Sequence, residues 1–256
     1  MRRWLWRLQG FLLWAPAARA LAMACLFAFL VQQVASRVDF FNAYGYHCSY
    51  AQAINSCFGL SWALFSHGFF WQPVTYLFLH GSWLHLGFNM LTVLLFGSGV
   101  EMEVGSRRFW RIFIGGGVLA GLGWFAATYA LSFLPPFESL THWMPQVVRH
   151  GLGAGVSAGK TLDGGLLIGA SGGVFALIGT YAALFPNRMV YVLLVFFPVK
   201  LKARTLALLL VGLDVAAAVF IQSQVADAAH LSGCLAGYLY GRRLRSLGIA
   251  GDPGGA

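Results

Sequence analysis

The chain has 256 residues, of which 59% are hydrophobic and 10% charged, and its net charge is +9. Soluble domains carry about 45–50% and about 25% respectively, so a water-soluble globule of this length is excluded and a membrane protein is indicated. The positive charge would suit a nucleic-acid partner if the basic residues formed one patch, but they are dispersed along the chain in short groups between apolar stretches.

Residues 1–16 mix Arg2, Arg3 and Arg7 with Trp4, Trp6 and Trp14 among apolar side chains, the composition of a segment lying along a membrane interface. The apolar run 17–35 is longer than the core of a signal peptide and has no convincing cleavage site after it, so it reads as a membrane span. Five further apolar stretches occupy 83–100, 112–134, 166–185, 205–221 and 226–240. A span takes about 20 residues, within about 17–25. The first five of the six stretches qualify, and the last does so by extending into Val225 and Gly241. The run 189–199 is also apolar, but it is too short and closes on Pro198 and Lys200.

Between the first two stretches, residues 37–82 hold His47, His67, Trp71 and Pro73. This segment is too apolar for a solvated linker and is expected to be partly structured and to dip into the interface. Residues 135–165 are richer in Gly, Ser and charge and read as a mobile excursion. The connection 222–225 is very short, and 246–256 reads as a flexible tail. Of the four cysteines, Cys48 and Cys57 share the first long loop; an oxidising compartment would join them, and otherwise they are two thiols.

Fourteen of the seventeen Lys and Arg residues lie before the first stretch or at its start, between the second and third, between the fourth and fifth, and after the sixth; only Arg37, Arg149 and Lys160 lie on the other face. The positive-inside rule then puts both termini in the cytosol, supports a count of six spans and explains the basic balance as topology, with no nucleic acid required. The expected fold is an all-α membrane protein: a six-transmembrane helical bundle over 17–245, with a cytosolic interfacial segment 1–16 and a tail 246–256.

Polar residues inside such spans are costly and usually face the bundle interior. The second, fourth and sixth stretches enter from the same face, and His85, Ser171 and His230 each lie near the entering end. At about 1.5 Å rise per residue they share a depth, and Asn89, four residues after His85, lies on the same helix face one turn deeper. Serine needs a base to become a nucleophile, and histidine suits that task near neutral pH. Ser171 is therefore the candidate nucleophile and His230 the candidate general base and then acid. The Asn89 amide, a His85 ring N–H and the Ser171 backbone N–H are candidate oxyanion donors.

The run His85-x-x-x-Asn89, the motif Gly169-x-Ser171-Gly172, and Ala229-His230-x-x-Gly233-x-x-x-Gly237 stand in the order and on the spans that resemble rhomboid intramembrane serine proteases. The resemblance covers about 71–241 and includes His80 and Glu101. It implies a Ser-His dyad that cuts transmembrane segments of other proteins, with access through a mobile fifth span and the loop before the sixth. The chain departs from the pattern in the long loop between the third and fourth stretches. It departs again at Phe175, where the family often has tyrosine; Phe175 can stack on His230 but offers no hydroxyl. Gly169 and Phe175 are thus supporting residues.

Other readings fit less well. Gly169-x-Ser171-x-Gly173 matches the nucleophile elbow of soluble hydrolases, but that motif needs a strand before and a helix after it. No His-Glu-x-x-His is present for a zinc protease, and an aspartyl intramembrane protease needs two aspartates in spans where only Asp214 qualifies. Asp214 stands near the middle of its stretch, deeper than His230, which favours a structural hydrogen bond over a third triad member. His80 reads as a loop-packing residue near the site, Glu101 and Glu103 as local caps and pairs beside arginines. Gly233, Gly237 and Gly241 form a small-residue seam against the fourth span.

The expected function is an intramembrane serine endopeptidase whose partners are the lipid bilayer and single-span membrane protein substrates, with no cofactor or metal implied. The alternatives are a catalytically silent protein of the same fold that binds or escorts membrane proteins, and a small-solute transporter, which the absence of inverted repeats disfavours. The expected location is the bacterial inner membrane, with an organelle as the other choice.

Overall fold

The structure, a computed structural model, describes residues 15–41, 47–132, 165–194, 197–220 and 224–251. The expectations for the interfacial segment and for the 135–165 excursion fall outside the described residues but for their last residues, as do the side chain of Cys48 and residues 252–256 of the tail. Cys57 is a free, exposed thiol, and within the described part of the tail the Gly251 N–H donates to Glu103 Oε1 at 2.7 Å.

A helix forms at each of the six apolar stretches. Helix α1 is Pro16–Ala35; α5 is Trp83–Val104, continuous through a π turn at Val93–Gly97; α6 is Ser106–Ser132. Helix α7 is Ser171–Leu184, α8 is Ala203–Phe220 and α9 is Gln224–Ser246. By length and composition, Pro16–Ala35, Trp83–Val104 and Ser106–Ala130 are long and apolar enough to cross a membrane. Between α1 and α5 the chain forms a hairpin of β1 (Asp39–Phe41) and β2 (His47–Ser49), then the short helices α2 (Tyr50–Phe58), α3 (Trp62–Phe65) and α4 (Gln72–Thr75). The expectation of a partly structured segment there is met.

The all-α expectation needs amendment at the apolar run 189–199, which folds as an antiparallel hairpin of β3 (Met189–Leu194) and β4 (Phe197–Lys202). Its Val, Tyr, Leu and Phe content favours extended backbone, and it is too short to be a spanning helix.

Pro16 opens α1 at a position where its missing N–H costs nothing. No local side chain caps this end; the Ala17 and Ala18 N–H groups donate to the two carboxylate oxygens of Glu101, each at 2.8 Å. Ser106 Oγ adds a third hydrogen bond to Glu101 at 2.6 Å. Glu101 is thus a cap, as expected, but for a helix 84 residues away in sequence rather than for its neighbours. Gly105, at φ +81°, permits the sharp reversal between α5 and α6.

Helix α7 is the centre of the molecule. Every residue from Gly172 to Leu184 is buried except Phe175. Glycines on its neighbours make this possible. A Cβ on Gly233 would strike the Gly172 carbonyl, one on Gly237 the Ala176 carbonyl, and one on Gly241 would lie 2.9 Å from Ala183 Cβ. Thr180 Oγ1 also donates to the Gly237 carbonyl at 2.9 Å. The small-residue seam expected between these helices is present. It brings the backbones of α7 and α9 to a separation that larger side chains would prevent.

Candidate active site

Helix α7 starts at Ser171, five residues later than the apolar stretch beginning at 166 suggests. The reason is that 166–170 is held as extended chain by partners elsewhere. Leu60 and Leu167 exchange two backbone hydrogen bonds at 2.9 Å, and Gly169 N–H donates to the Tyr76 carbonyl at 2.9 Å. Tyr76 OH in turn donates to the Gly117 carbonyl at 2.8 Å. Irregular backbone is tolerable in a membrane protein where protein surrounds and satisfies it, and here the 37–82 segment does so. Gly169 has φ +132°, and a Cβ there would lie 2.7 Å from His85 Cε1 and 2.8 Å from His85 Nε2. Backbone conformation and the His85 ring both require glycine at this position.

With no side-chain cap at Ala170, the first N–H groups of α7 lack helical acceptors, and the positive end of the helix dipole gathers at Ser171. Ser171 and Phe175 are the two residues of α7 that escape full burial, and both face His230. His230 Nε2 lies 2.9 Å from Ser171 Oγ. The Phe175 ring stacks on the imidazole with centroids 4.4 Å apart and planes within 3°, so the stacking expected of Phe175 is present without a hydroxyl. His230 Nδ1 lies 3.4 Å from Asp214 Oδ1, and the two side chains are 19% and 18% exposed.

The contact with Asp214 corrects the depth assigned to it from the sequence. The 3.4 Å approach puts the two side chains at one level across the α8–α9 contact, where the sequence put Asp214 deeper than His230.

The remaining expected site residues are placed as follows. His85 lies against the Gly169 backbone that leads into Ser171. Asn89 is buried, and its amide donates to the His85 carbonyl at 3.0 Å, one turn back on its own helix. His80 is buried beside the site, its ring edge-on to His85 at 5.1 Å. Burial, followed by the nearby His85, pushes its pKa down to about 4, so it is neutral near pH 7. The His80 N–H donates to Gln32 Oε1 at 3.1 Å, and Gln32 Nε2 donates to Asn55 Oδ1 at 2.6 Å. Gln32 and Tyr76 were not singled out from the sequence. A glutamine within an apolar run was the available signal for the first; the phenol gave none.

Asp214, Asp227 and His230 offer ligand atoms within 4.8 Å of one another, the one such group of three among the described residues. A metal there would need His230 Nδ1 free of its proton. That competes with the tautomer in which Nε2 accepts the Ser171 hydroxyl proton.

The Rhomboid domain family model matches residues 67–247. Rhomboid protein 1, mitochondrial, of Saccharomyces cerevisiae is 27% identical over 164 residues, which cover 64% of this chain and 39% of the yeast protein. The Bacillus subtilis protein YdcA, provisionally named a rhomboid protease, is 26% identical over 176 residues, covering 68% of this chain and 67% of YdcA. The chain spans about two fifths of the length of the yeast relative.

Proposed function

The chain belongs to the rhomboid family, and from that premise we propose that this integral membrane protein is an intramembrane serine endopeptidase acting through Ser171 and His230. The observation that carries the reading is the 2.9 Å approach of Ser171 Oγ to His230 Nε2, made between two helices whose backbones are locked together by glycines.

In this reading the helices α1 and α5 to α9 are six spans with both termini cytosolic, as the arginine and lysine distribution requires. Ser171 Oγ attacks the scissile carbonyl carbon while its proton passes to His230 Nε2. The resulting oxyanion is met by the Ser171 backbone N–H at the start of α7, by His85, and by the Asn89 amide once it leaves its own helix carbonyl. Collapse breaks the C–N bond, and the imidazolium returns the proton to the leaving amine. Water, deprotonated by His230, then hydrolyses the ester on Ser171 and frees the new carboxyl end.

Substrates are single-span membrane proteins cut near the outer face. A helix hides its own peptide bonds, so segments with Gly, Pro or polar residues that unwind easily, and a small residue before the cut, are favoured. The location is the bacterial inner membrane.

The test is to incubate purified protein with a fluorophosphonate probe and a reporter transmembrane substrate. Labelling and cleavage should both occur in the wild type and fall at least about a thousandfold in Ser171→Ala and His230→Ala. Substrate binding that persists without labelling or cleavage in the wild type would replace this reading by that of a silent binding protein.

A further inference from the structure

We propose that Asp214 is a positioning residue for His230, so that the site operates as a serine, histidine and aspartate chain drawn from α7, α9 and α8. This rests on the proteolytic reading above and goes beyond the two-residue site from which that reading started.

The imidazole decides the matter through its tautomer. To act as base toward Ser171, Nε2 must be unprotonated and accept the hydroxyl hydrogen bond, which leaves the proton on Nδ1. Nδ1 is the atom that lies 3.4 Å from Asp214 Oδ1, so the N–H points at a carboxylate in the one tautomer that catalysis needs. Phe175, stacked on the ring face, prevents the ring from tipping but cannot choose between tautomers. A carboxylate can. When Nε2 takes the Ser171 proton, the same carboxylate faces the positive charge that appears on the ring.

The surroundings favour this use over a purely structural one. An acidic side chain in an apolar helix is costly and is retained where it has a partner. Among the described residues His230 is the hydrogen-bonding partner of Asp214, and the second oxygen, Oδ2, is buried without one. A structural aspartate would be expected to satisfy both oxygens from neighbouring N–H or hydroxyl groups. Among the described residues the other titratable groups around the imidazole are Asp227, one turn earlier on α9, and His85 from α5; Cys234 lies one turn later on α9 and is buried. Asp227 adds a second negative charge nearby and is the residue that must be separated from Asp214 by experiment.

The experiment uses the full-length protein in detergent. Asp214→Asn, Asp214→Glu, Asp227→Asn and wild type are compared for kcat and KM on a reporter transmembrane substrate across pH. The tautomer of His230 is followed by nitrogen NMR of histidine-labelled protein in a Ser171→Ala background, where activity plays no part. In Asp214→Asn, kcat should fall about tenfold or more with KM within about twofold, because an amide can donate to Nδ1 and favour the wrong tautomer. The nitrogen shifts of His230 should also show the Nδ1-protonated tautomer giving way to the Nε2-protonated one, since the group facing Nδ1 no longer only accepts. Asp214→Glu should recover part of the rate. Unchanged kcat and an unchanged His230 tautomer in Asp214→Asn overturn the proposal, as does a tautomer that changes in Asp227→Asn alone. A wild type that neither labels nor cleaves removes the proteolytic reading. The NMR spectra still show whether Asp214 governs which His230 nitrogen carries the proton, and no change there overturns the positioning role as well.

Discussion

His230 is approached from two sides that are built differently. On one side α7 meets α9 backbone to backbone, with carbonyls of Gly172 and Ala176 occupying the space that side chains at Gly233 and Gly237 would take. On the other side α8 presents Asp214 through its side chain alone. Leu208, Leu209, Leu213 and Val215 are exposed, and Gly212 has open space where a Cβ would stand. Backbone apposition has few degrees of freedom, whereas a long apolar helix held by one face can shift. The contact between Ser171 and His230 is therefore the rigid one, and the contact between His230 and Asp214 is the adjustable one.

The largest effect should come from breaking the rigid side. Gly237→Leu must push α9 off the Ala176 carbonyl, at a cost of about 3 kcal/mol or more. Thermal unfolding in detergent should show a large fall in Tm, with loss of probe labelling; a Tm within a degree or two of wild type would mean the seam is not needed. Gly169→Ala should come next. It forces a non-glycine residue to φ +132° and into the His85 ring, a strain of about 1–3 kcal/mol. Labelling of Ser171 should slow by at least about tenfold while Tm changes less than in Gly237→Leu, because the strain sits in the loop and not in the helix contact.

Acid should weaken the wall behind the site more gently. His80 is held neutral with a folded pKa near 4 against an ordinary 6.5. Between these values the unfolded chain binds a proton that the folded chain refuses, so stability falls as pH is lowered from 6.5 to about 4 and recovers as it is raised. Denaturation scans at pH 7 and pH 5 should show this difference, and His80→Phe should reduce it; equal stability at both pH values in wild type would contradict the burial argument. The smallest effect belongs to the adjustable side. Gly212→Ala meets nothing within 4 Å and gains helix propensity, so it should be neutral or stabilising by about 0.5–1 kcal/mol, with labelling intact. A marked loss of activity there would show that α8 must bend at Gly212.

Much of this architecture was legible because apolar runs report helices directly. The six stretches locate six helices, and their errors are at the ends, where polar residues such as Gln224 continue a helix that a hydropathy reading stops. The opposite error occurs at 166–170, which is apolar enough to pass for helix but is claimed as extended chain by Leu60 and Tyr76, partners more than 90 residues away. Glu101 was recognisable as a cap, while the helix it caps was not, because capping through space leaves no sequence spacing to read.

The sequence alone determined the chemical inventory: a serine flanked by glycines, a histidine followed by a glycine seam, and a set of apolar runs that keep both out of bulk water. Spacing within each helix follows from 3.6 residues per turn, so Ser171 with Phe175 and His230 with Gly233 could be assigned to common faces. Which side chains touch across helices was decided only by the tertiary structure. The sequence put Asp214 deeper than His230, and the packing of α8 on α9 brings its Oδ1 to 3.4 Å from His230 Nδ1, because the periodicity within one helix fixes its faces but not its register against another.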